Sequence, residues 1–326
     1  MKIGIIYCEN PGHYLNGHPE RPQRVSFAKD VLTKKFPNIP IIKMKDYTEE
    51  DVLKFLSSAH DASHMQKIKH KFKDINSAYS TGLDSYYAVL DLSRCIMTMC
   101  ELVLDNKLDY AMLIVRPPGH HCCNHNPAGF CLINSAVVAA KNLLKKCNKI
   151  NIFDIDLHHG GGTQYMVQNN KNISYTSIHN KNAWPDGLFP KGINGITRNG
   201  RIINVALNGQ SDDSDYKYTT EHIIPKMKNF SDSIILSAGF DAHKDERGYV
   251  GDNLSHLMNL SSKFYGYLGN QLVKNFKNIF FILEGGYNEK AIAESIYYFI
   301  QGINGREFDI DNNPSHYTKR NIQNNF

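Results

Sequence analysis

The chain has 326 residues and a formal net charge of +5, from 37 Lys and Arg against 32 Asp and Glu, an excess too small to argue a nucleic-acid partner. With 41% hydrophobic and 21% charged residues, 23 Gly and 12 Pro, the composition excludes collagen-like, disordered and disulfide-scaffold classes. No stretch approaches the roughly 18 uninterrupted apolar residues of a membrane span, and seven Cys without a Cys-x-x-Cys pair suit a reducing, cytoplasmic compartment, with a nuclear one not excluded.

Short β-branched runs alternate with amphipathic segments, the pattern of a parallel sheet covered by helices. In chain order, the opening run predicts a strand at Ile3–Tyr7 rather than a signal peptide, followed by helices at Gln23–Lys35 and Ser85–Leu104. The basic run Lys67–Lys73 reads as a solvated face, and Cys122-Cys123 as loop packing. Then come a strand at Tyr110–Val115, a helix at Asn134–Lys146, a strand at Lys149–Asp154, a helix at Thr163–Asn169, and strands at Ile173–Ile178 and Arg201–Val205. A helix at Asp215–Lys228, a strand at Ser233–Ser237, a helix at Ser255–Phe276, a strand at Asn278–Leu283 and a helix at Glu289–Ile303 complete the series. No linker divides it, so residues 1–304 form one domain and the polar, Asn-rich 305–326 an extension, packed on the surface or loose.

Polar clusters follow the strands. Arg116–His121, Asp154–His159, His179, Gly239–Asp245 and Glu284–Tyr287 each lie just past a different strand. In an open parallel sheet these strand ends share one edge, where ligands collect. Asp154, Asp156 and His158 alternate with Ile155 and Leu157, so the three polar side chains share one face of an extended segment. A carboxylate and an imidazole presented together are zinc-competent, and Asp241, past the next buried strand, offers a third ligand. Three protein ligands with an open fourth position describe a catalytic zinc centre.

The blocks Arg116-Pro117-Pro118-Gly119-His120-His121, Gly129-Phe130-Cys131, Asp154–Gln164, Ser237–Asp241 and Leu283-Glu284-Gly285-Gly286-Tyr287, with His18–Arg24 near the start, together resemble the histone deacetylase and acetylpolyamine amidohydrolase superfamily. The resemblance runs from about residue 13 to 290. It implies the arginase-deacetylase fold, one α/β domain around an eight-stranded parallel sheet, and zinc-dependent hydrolysis of acylated amines. Asp156, His158 and Asp241 would hold one Zn2+ per chain, which acidifies a water and polarises the substrate carbonyl. Tyr287 would donate to the developing oxyanion, and His120 and His121 would carry protons, the first oriented by Asp154.

The family's second His leans on an Asp or Asn that here is Gly161, which implies a lower His121 pKa. Gly129 and Phe130 match one wall of an acyl-chain tunnel, the opposite wall falling on Trp184 or Phe189. Arg24 matches an arginine of an acetate-release channel, and Asp154 with Ser177 a site for a structural monovalent cation such as K+. The substrate the resemblance implies is acyl-lysine in a protein or peptide, ahead of an acetylated polyamine. After Asp241 the sequence is one residue shorter than the common pattern, leaving Glu246, which would attract a polyamine, or Arg247, which would repel it, at the mouth. Two rivals remain: a binuclear manganese ureohydrolase, suggested by Asp241-Ala242-His243-Lys244-Asp245, and a non-catalytic acyl-lysine-binding scaffold, against which the intact set of site residues argues.

Overall fold

The runs Tyr110–Val115 and Ser233–Ala238 are buried at every position, as expected of strands covered on both faces. The computed structural model describes residues 2–70, 83–184, 194–249 and 253–326. Its strands are β1 (Ile3–Cys8), β2 (Tyr110–Val115), β3 (Ile150–Asp154), β4 (Ile173–Asn180), β5 (Gly195–Thr197), β6 (Ile202–Leu207), β7 (Ser233–Ala238) and β8 (Asn278–Leu283). They form one sheet in the order β1-β2-β8-β7-β3-β4-β6-β5. All neighbours pair parallel except β5, which runs antiparallel to β6 with Ile196 opposite Ile203. The expected eight-stranded parallel sheet is therefore seven parallel strands and one short antiparallel edge.

The helices are α1 (Gln23–Lys35), α2 (Glu49–Leu56), α3 (Ala62–Lys69), α4 (Leu83–Leu104), α5 (Ser135–Leu143), α6 (Gly161–Val167), α7 (Asp213–Phe230), α8 (Ser262–Asn275), α9 (Glu289–Ile303) and α10 (His316–Asn325). Alternate strand residues feed two cores. Ile5, Met112, Ile114, Leu236 and Phe281 pack with α1, α7, α8 and α9. Ile6, Leu113, Val115, Ile235 and Ile282 pack with α2, α3, α4 and α5. This period-two division makes one α/β domain with helices on both faces. Among the described residues no helix is long and apolar enough to cross a membrane.

The helix expected from Ser255 starts only at Ser262, where Ser261 caps it by accepting from the Lys263 amide. Upstream, Asn259 and Leu260 are extended and bridge to Asp212 and His243, with Leu257, Met258 and Leu260 buried. Tertiary pairing thus overrides the apolar periodicity there. Helix α2 was not expected from the apolar pattern; it begins at a capping box of Thr48 and Asp51. Part of the basic run, Lys67–Lys69, ends α3, while 71–73 lie outside the described residues. In the extension, α10 docks on the sheet edge: Tyr317 Oη and Asn321 Nδ2 both donate to Ala206 O, and Ile322 is buried.

The five strands preceding the polar clusters, β2, β8, β7, β3 and β4, are consecutive in the sheet. Their carboxyl ends therefore bring the clusters to one stretch of edge.

Candidate active site

The Pro-Pro-Gly turn after β2 delivers His120 and His121. Glu284, at the end of β8, anchors the turn: its Oε2 accepts from the Gly119 and His120 amides at 2.6 and 3.1 Å, and its Oε1 from Ser237 Oγ at 3.1 Å. Burial pushes the Glu284 carboxyl up to about 7, against the lowering effect of His120. His120 Nδ1 lies 3.0 Å from Asp154 Oδ2, which also accepts from Tyr175 Oη at 2.9 Å. Burial alone would keep His120 neutral, but Asp156 and Asp154 overcome it and raise its pKa well above the ordinary value. His121 is the opposite case. Its Nδ1 has no hydrogen-bond partner among the described residues, and burial, then the neighbouring His120 and His158, holds its pKa well below the ordinary value.

Asp156, His158 and Asp241 converge, although β3 ends at Asp154 and residues 156–158 form a bend rather than the extended segment expected. Each carboxylate has one oxygen fixed by the backbone: Asp156 Oδ2 accepts from the Gly285 amide and Asp241 Oδ1 from the Leu157 amide, both at 2.9 Å. The other oxygens, Asp156 Oδ1 and Asp241 Oδ2, face His158 Nδ1 at 3.1 and 2.8 Å. Two buried carboxylates thus meet one imidazole. The imbalance shows in their protonation: burial would lower His158, yet hydrogen bonds to the two aspartates push it up to about 9. Burial, then the charge of Asp156, pushes Asp241 up to about 6, while Asp156 stays well below the carboxylate range because His120 and His158 outweigh its burial.

A set that draws in protons is a set short of positive charge, and the three donors suit a divalent cation. Two further groups have metal-ligand composition, His60-His64-Cys122 and His120-Cys131-Glu284. Their atoms are already engaged: His60 Nε2 accepts from the Asn134 amide, His64 Nε2 faces Leu132 O at 2.7 Å, and both Glu284 oxygens are taken. The binuclear rival loses its second set of ligands, because His243 Nε2 turns to Ser262 Oγ at 3.1 Å and the Asp245 side chain is 59% exposed. Ser177 sits opposite Asp154 across β3 and β4, but its hydroxyl pairs with His179 Nδ1. Asp154 Oδ1 accepts from the Asp156 amide at 3.2 Å and Asp154 Oδ2 from Tyr175 Oη at 2.9 Å, beside His120 Nδ1.

Tyr287 follows a Gly-Gly turn whose second glycine has φ +100°, where an added Cβ would lie 2.8 Å from Phe240 Cβ. Arg24, fully buried, donates to the carbonyls of Gly286 and Glu284 and lies 5.0 Å from the Tyr287 ring centroid. Its other arm meets Glu20, which also receives Arg116. Phe130, at φ +66°, stands edge-on to both His18 and Tyr287, with ring centroids 4.5 and 5.8 Å away. Trp184 stands edge-on to His121 at 4.5 Å. Between them a Cβ on Gly129 would come within 2.5 Å of His121 Cδ2 and 2.8 Å of Trp184 Cη2, so only glycine leaves this approach open. Phe189 lies outside the described residues.

The rim expectation for Glu246 is corrected. Its side chain is fully buried and accepts from the Tyr287 and Asn288 amides, because the turn 244–246 folds it under the glycine turn; Arg247 is the exposed neighbour. Burial pushes Glu246 up to about 8 against those amides. The supporting roles of Glu284 and Tyr175 were not read from the sequence. A buried Glu ending an apolar strand is a usable signal for the first, whereas Tyr175 reads as ordinary strand core.

The histone deacetylase domain model matches residues 18–303. Histone deacetylase HDA1 of Candida albicans is 31% identical over 90% of this chain, which spans 40% of that protein. An uncharacterized protein of Synechocystis is 32% identical over 90% of this chain and 97% of its own length. The crystal structure of the HDA15 HD domain superposes with a TM-score of 0.83 at 26% identity, covering 99% of this chain and 94% of that one. The chain spans less than half the length of the Candida protein and of its Schizosaccharomyces pombe counterpart clr3, 40% and 45%. A domain match over nearly the whole chain, on a sheet that gathers these clusters at one edge, makes this chain a member of the histone deacetylase family.

Proposed function

We propose that the chain is a zinc-dependent deacylase acting on acetylated, or other short-acylated, lysine side chains of proteins or peptides. The observation that carries this reading is the convergence of Asp156 Oδ1 and Asp241 Oδ2 on His158 Nδ1, beside His120 and His121. The names of the relatives, histone deacetylases, supply the substrate class. Zinc held by those three side chains supplies Lewis acidity toward a carbonyl oxygen and a water.

The remaining work falls to the protein. His121, kept neutral by its burial, takes the proton that the attacking water loses and later gives one to the departing amine. His120, held cationic against Asp154 and Asp156, adds fixed positive charge beside it. The Tyr287 hydroxyl donates to the oxygen on which charge develops. Gly129, Phe130 and Trp184 would flank the alkyl chain, and Arg24, 5.0 Å from the Tyr287 ring centroid, would line the path by which acetate leaves.

Lysine is preferred to polyamine because Glu246, the acid that would attract a cationic amine, is turned inward. The test is a panel of acetyl-lysine peptides, longer acyl-lysines and acetylated polyamines, assayed with zinc and with a hydroxamate chelator. Chelator-sensitive cleavage of acyl-lysine supports the reading. Binding of acetyl-lysine without cleavage by the zinc-loaded protein makes it a scaffold, and preference for acetylated polyamines moves the substrate.

A further inference from the structure

Five backbone groups around the Gly-Gly turn are held by three buried charged side chains. Arg24 takes Glu284 O and Gly286 O, Asp156 takes the Gly285 amide, and Glu246 takes the amides of Tyr287 and Asn288. The Glu246 contribution is the densest: Oε1 accepts from Tyr287 N and Asn288 N, and Oε2 from Tyr287 N, each at 2.9 Å. The side chain is 0% exposed. Amide dipoles are its direct partners, with Arg24 acting on its carboxyl only through space.

Helix capping does not account for this arrangement. The N-terminus of α9 already has a cap, since Asn288 Oδ1 accepts from the Lys290 and Ala291 amides. The Glu246 bonds fall one step earlier, on the amides that fix where the Tyr287 backbone stands. Two glycines precede that position, so the chain itself offers little resistance to displacement. Glu246 is delivered by its own hydrogen-bonded turn, with Glu246 N donating to His243 O and Tyr249 N to Glu246 O.

We propose that Glu246 is a positioning residue: by gripping the Tyr287 and Asn288 amides it sets the Tyr287 hydroxyl against the substrate carbonyl. This deepens the deacylase reading and rests on it. A displacement of about 1 Å at a reacting group costs on the order of 100-fold in rate, so a partial release of the grip costs about tenfold. Glu246→Gln keeps one acceptor oxygen but places an NH2 where an amide N–H donates. Glu246→Asp keeps the carboxyl on a shorter arm.

The test is a double-mutant cycle of Glu246→Gln with Tyr287→Phe, read in two ways. One readout is kcat and KM on an acetyl-lysine peptide. The other is the affinity of the zinc-loaded protein for the same peptide, followed through Trp184, the only tryptophan in the chain. Glu246→Gln alone is expected to lower kcat about tenfold with KM within about twofold, Glu246→Asp to recover part of it, and Glu246→Gln to change little once Tyr287 is Phe. An equal loss with and without the tyrosine hydroxyl overturns the positioning role while leaving the deacylase reading intact. If the wild type binds the peptide without cleaving it, the deacylase reading fails, and coupling in the affinities still decides on Glu246. Should Glu246→Gln not fold, the same cycle is run with Glu246→Asp, where additive losses overturn the proposal. A wild type that neither binds nor cleaves the peptide overturns both.

Discussion

Two buried clusters of charge act on Tyr287, and they balance their charge differently. In the first, Glu20 is shared by Arg24 and Arg116, all three fully buried, with Arg116 Nη2 2.5 Å from Glu20 Oε2. Its cations are part of the chain. In the second, Asp156 and Asp241 share His158, which takes up a proton to meet them, with His120 Nε2 3.7 Å from Asp156 Oδ1. The first cluster is complete as folded, whereas the second has the composition to take a divalent cation, the zinc of the proposed function. Burial is common to both, so what separates a structural ion pair from a candidate metal centre here is the sign of the leftover charge.

The sharpest way to break this contrast is to remove an acid from each cluster. Asp241→Ala should reduce zinc affinity by more than about 100-fold, since loss of a group merely supporting a ligand costs about 10- to 100-fold. Cleavage of an acetyl-lysine peptide should fall to background, with metal content by elemental analysis as the check. Glu20→Ala should leave two arginines without their acid and lower stability by about 3–5 kcal/mol in denaturant titration. Its zinc content should stay at the wild-type level; a folded Glu20→Ala protein that loses zinc would erase the distinction.

Acid titration sharpens the same contrast. Burial would raise Glu20, but Arg116 and Arg24 outweigh it and hold the carboxyl near 2, from an ordinary 4.5. A depressed carboxyl contributes stability that is complete above pH 4.5 and lost as the pH falls through about 2, here about 3 kcal/mol. The metal cluster carries the opposite sign. His158 is raised from 6.5 to about 9, so its contribution to the metal-free protein is complete below 6.5 and lost as the pH rises through 9. Metal-free protein should therefore lose stability over that alkaline range, and apparent zinc affinity should climb across it by about tenfold per pH unit as the competing proton leaves. Thermal melts with and without zinc, from about pH 6 to about pH 9.5, measure both. A metal-free melting curve that does not respond to pH would count against the shared proton.

The smallest effect concerns His121. Supplying the carboxylate absent at Gly161, through Gly161→Asp, should raise the His121 pKa and move the acid limb of the pH-rate profile upward. The rate at neutral pH should change by less than about tenfold. An unmoved acid limb would show that the introduced carboxylate does not reach the imidazole.

Much of this architecture is legible in the sequence for a simple reason. Strands such as Ser233–Ala238 are buried on both faces and must be apolar throughout, so the residues at which polarity returns mark the sheet edge. The same reasoning puts Asp156 and His158 just past β3 and Asp241 just past the neighbouring β7, while the bend at 156–158 that joins them is a feature of the structure. What the sequence could not convey is which way a side chain turns in a short irregular segment. The sequence leaves Glu246 or Arg247 at the rim, and three residues of 3-10 helix decide between them by folding Glu246 inward and leaving Arg247 exposed. The apolar spacing of Leu257–Leu260 is helical, yet Asn259 and Leu260 pair as an extended strap and α8 starts only at Ser262. Helix α2 announced itself through Thr48 and Asp51, a signal that the apolar pattern alone passes over.

Calorimetric titration of the metal-free wild type with zinc near neutral pH, in buffers of different ionisation enthalpy, tests the central claim most directly. The account predicts one zinc per chain, with a proton released as His158 gives up its shared hydrogen to the incoming ion. Binding with no proton release, or no saturable binding at one equivalent, would contradict it.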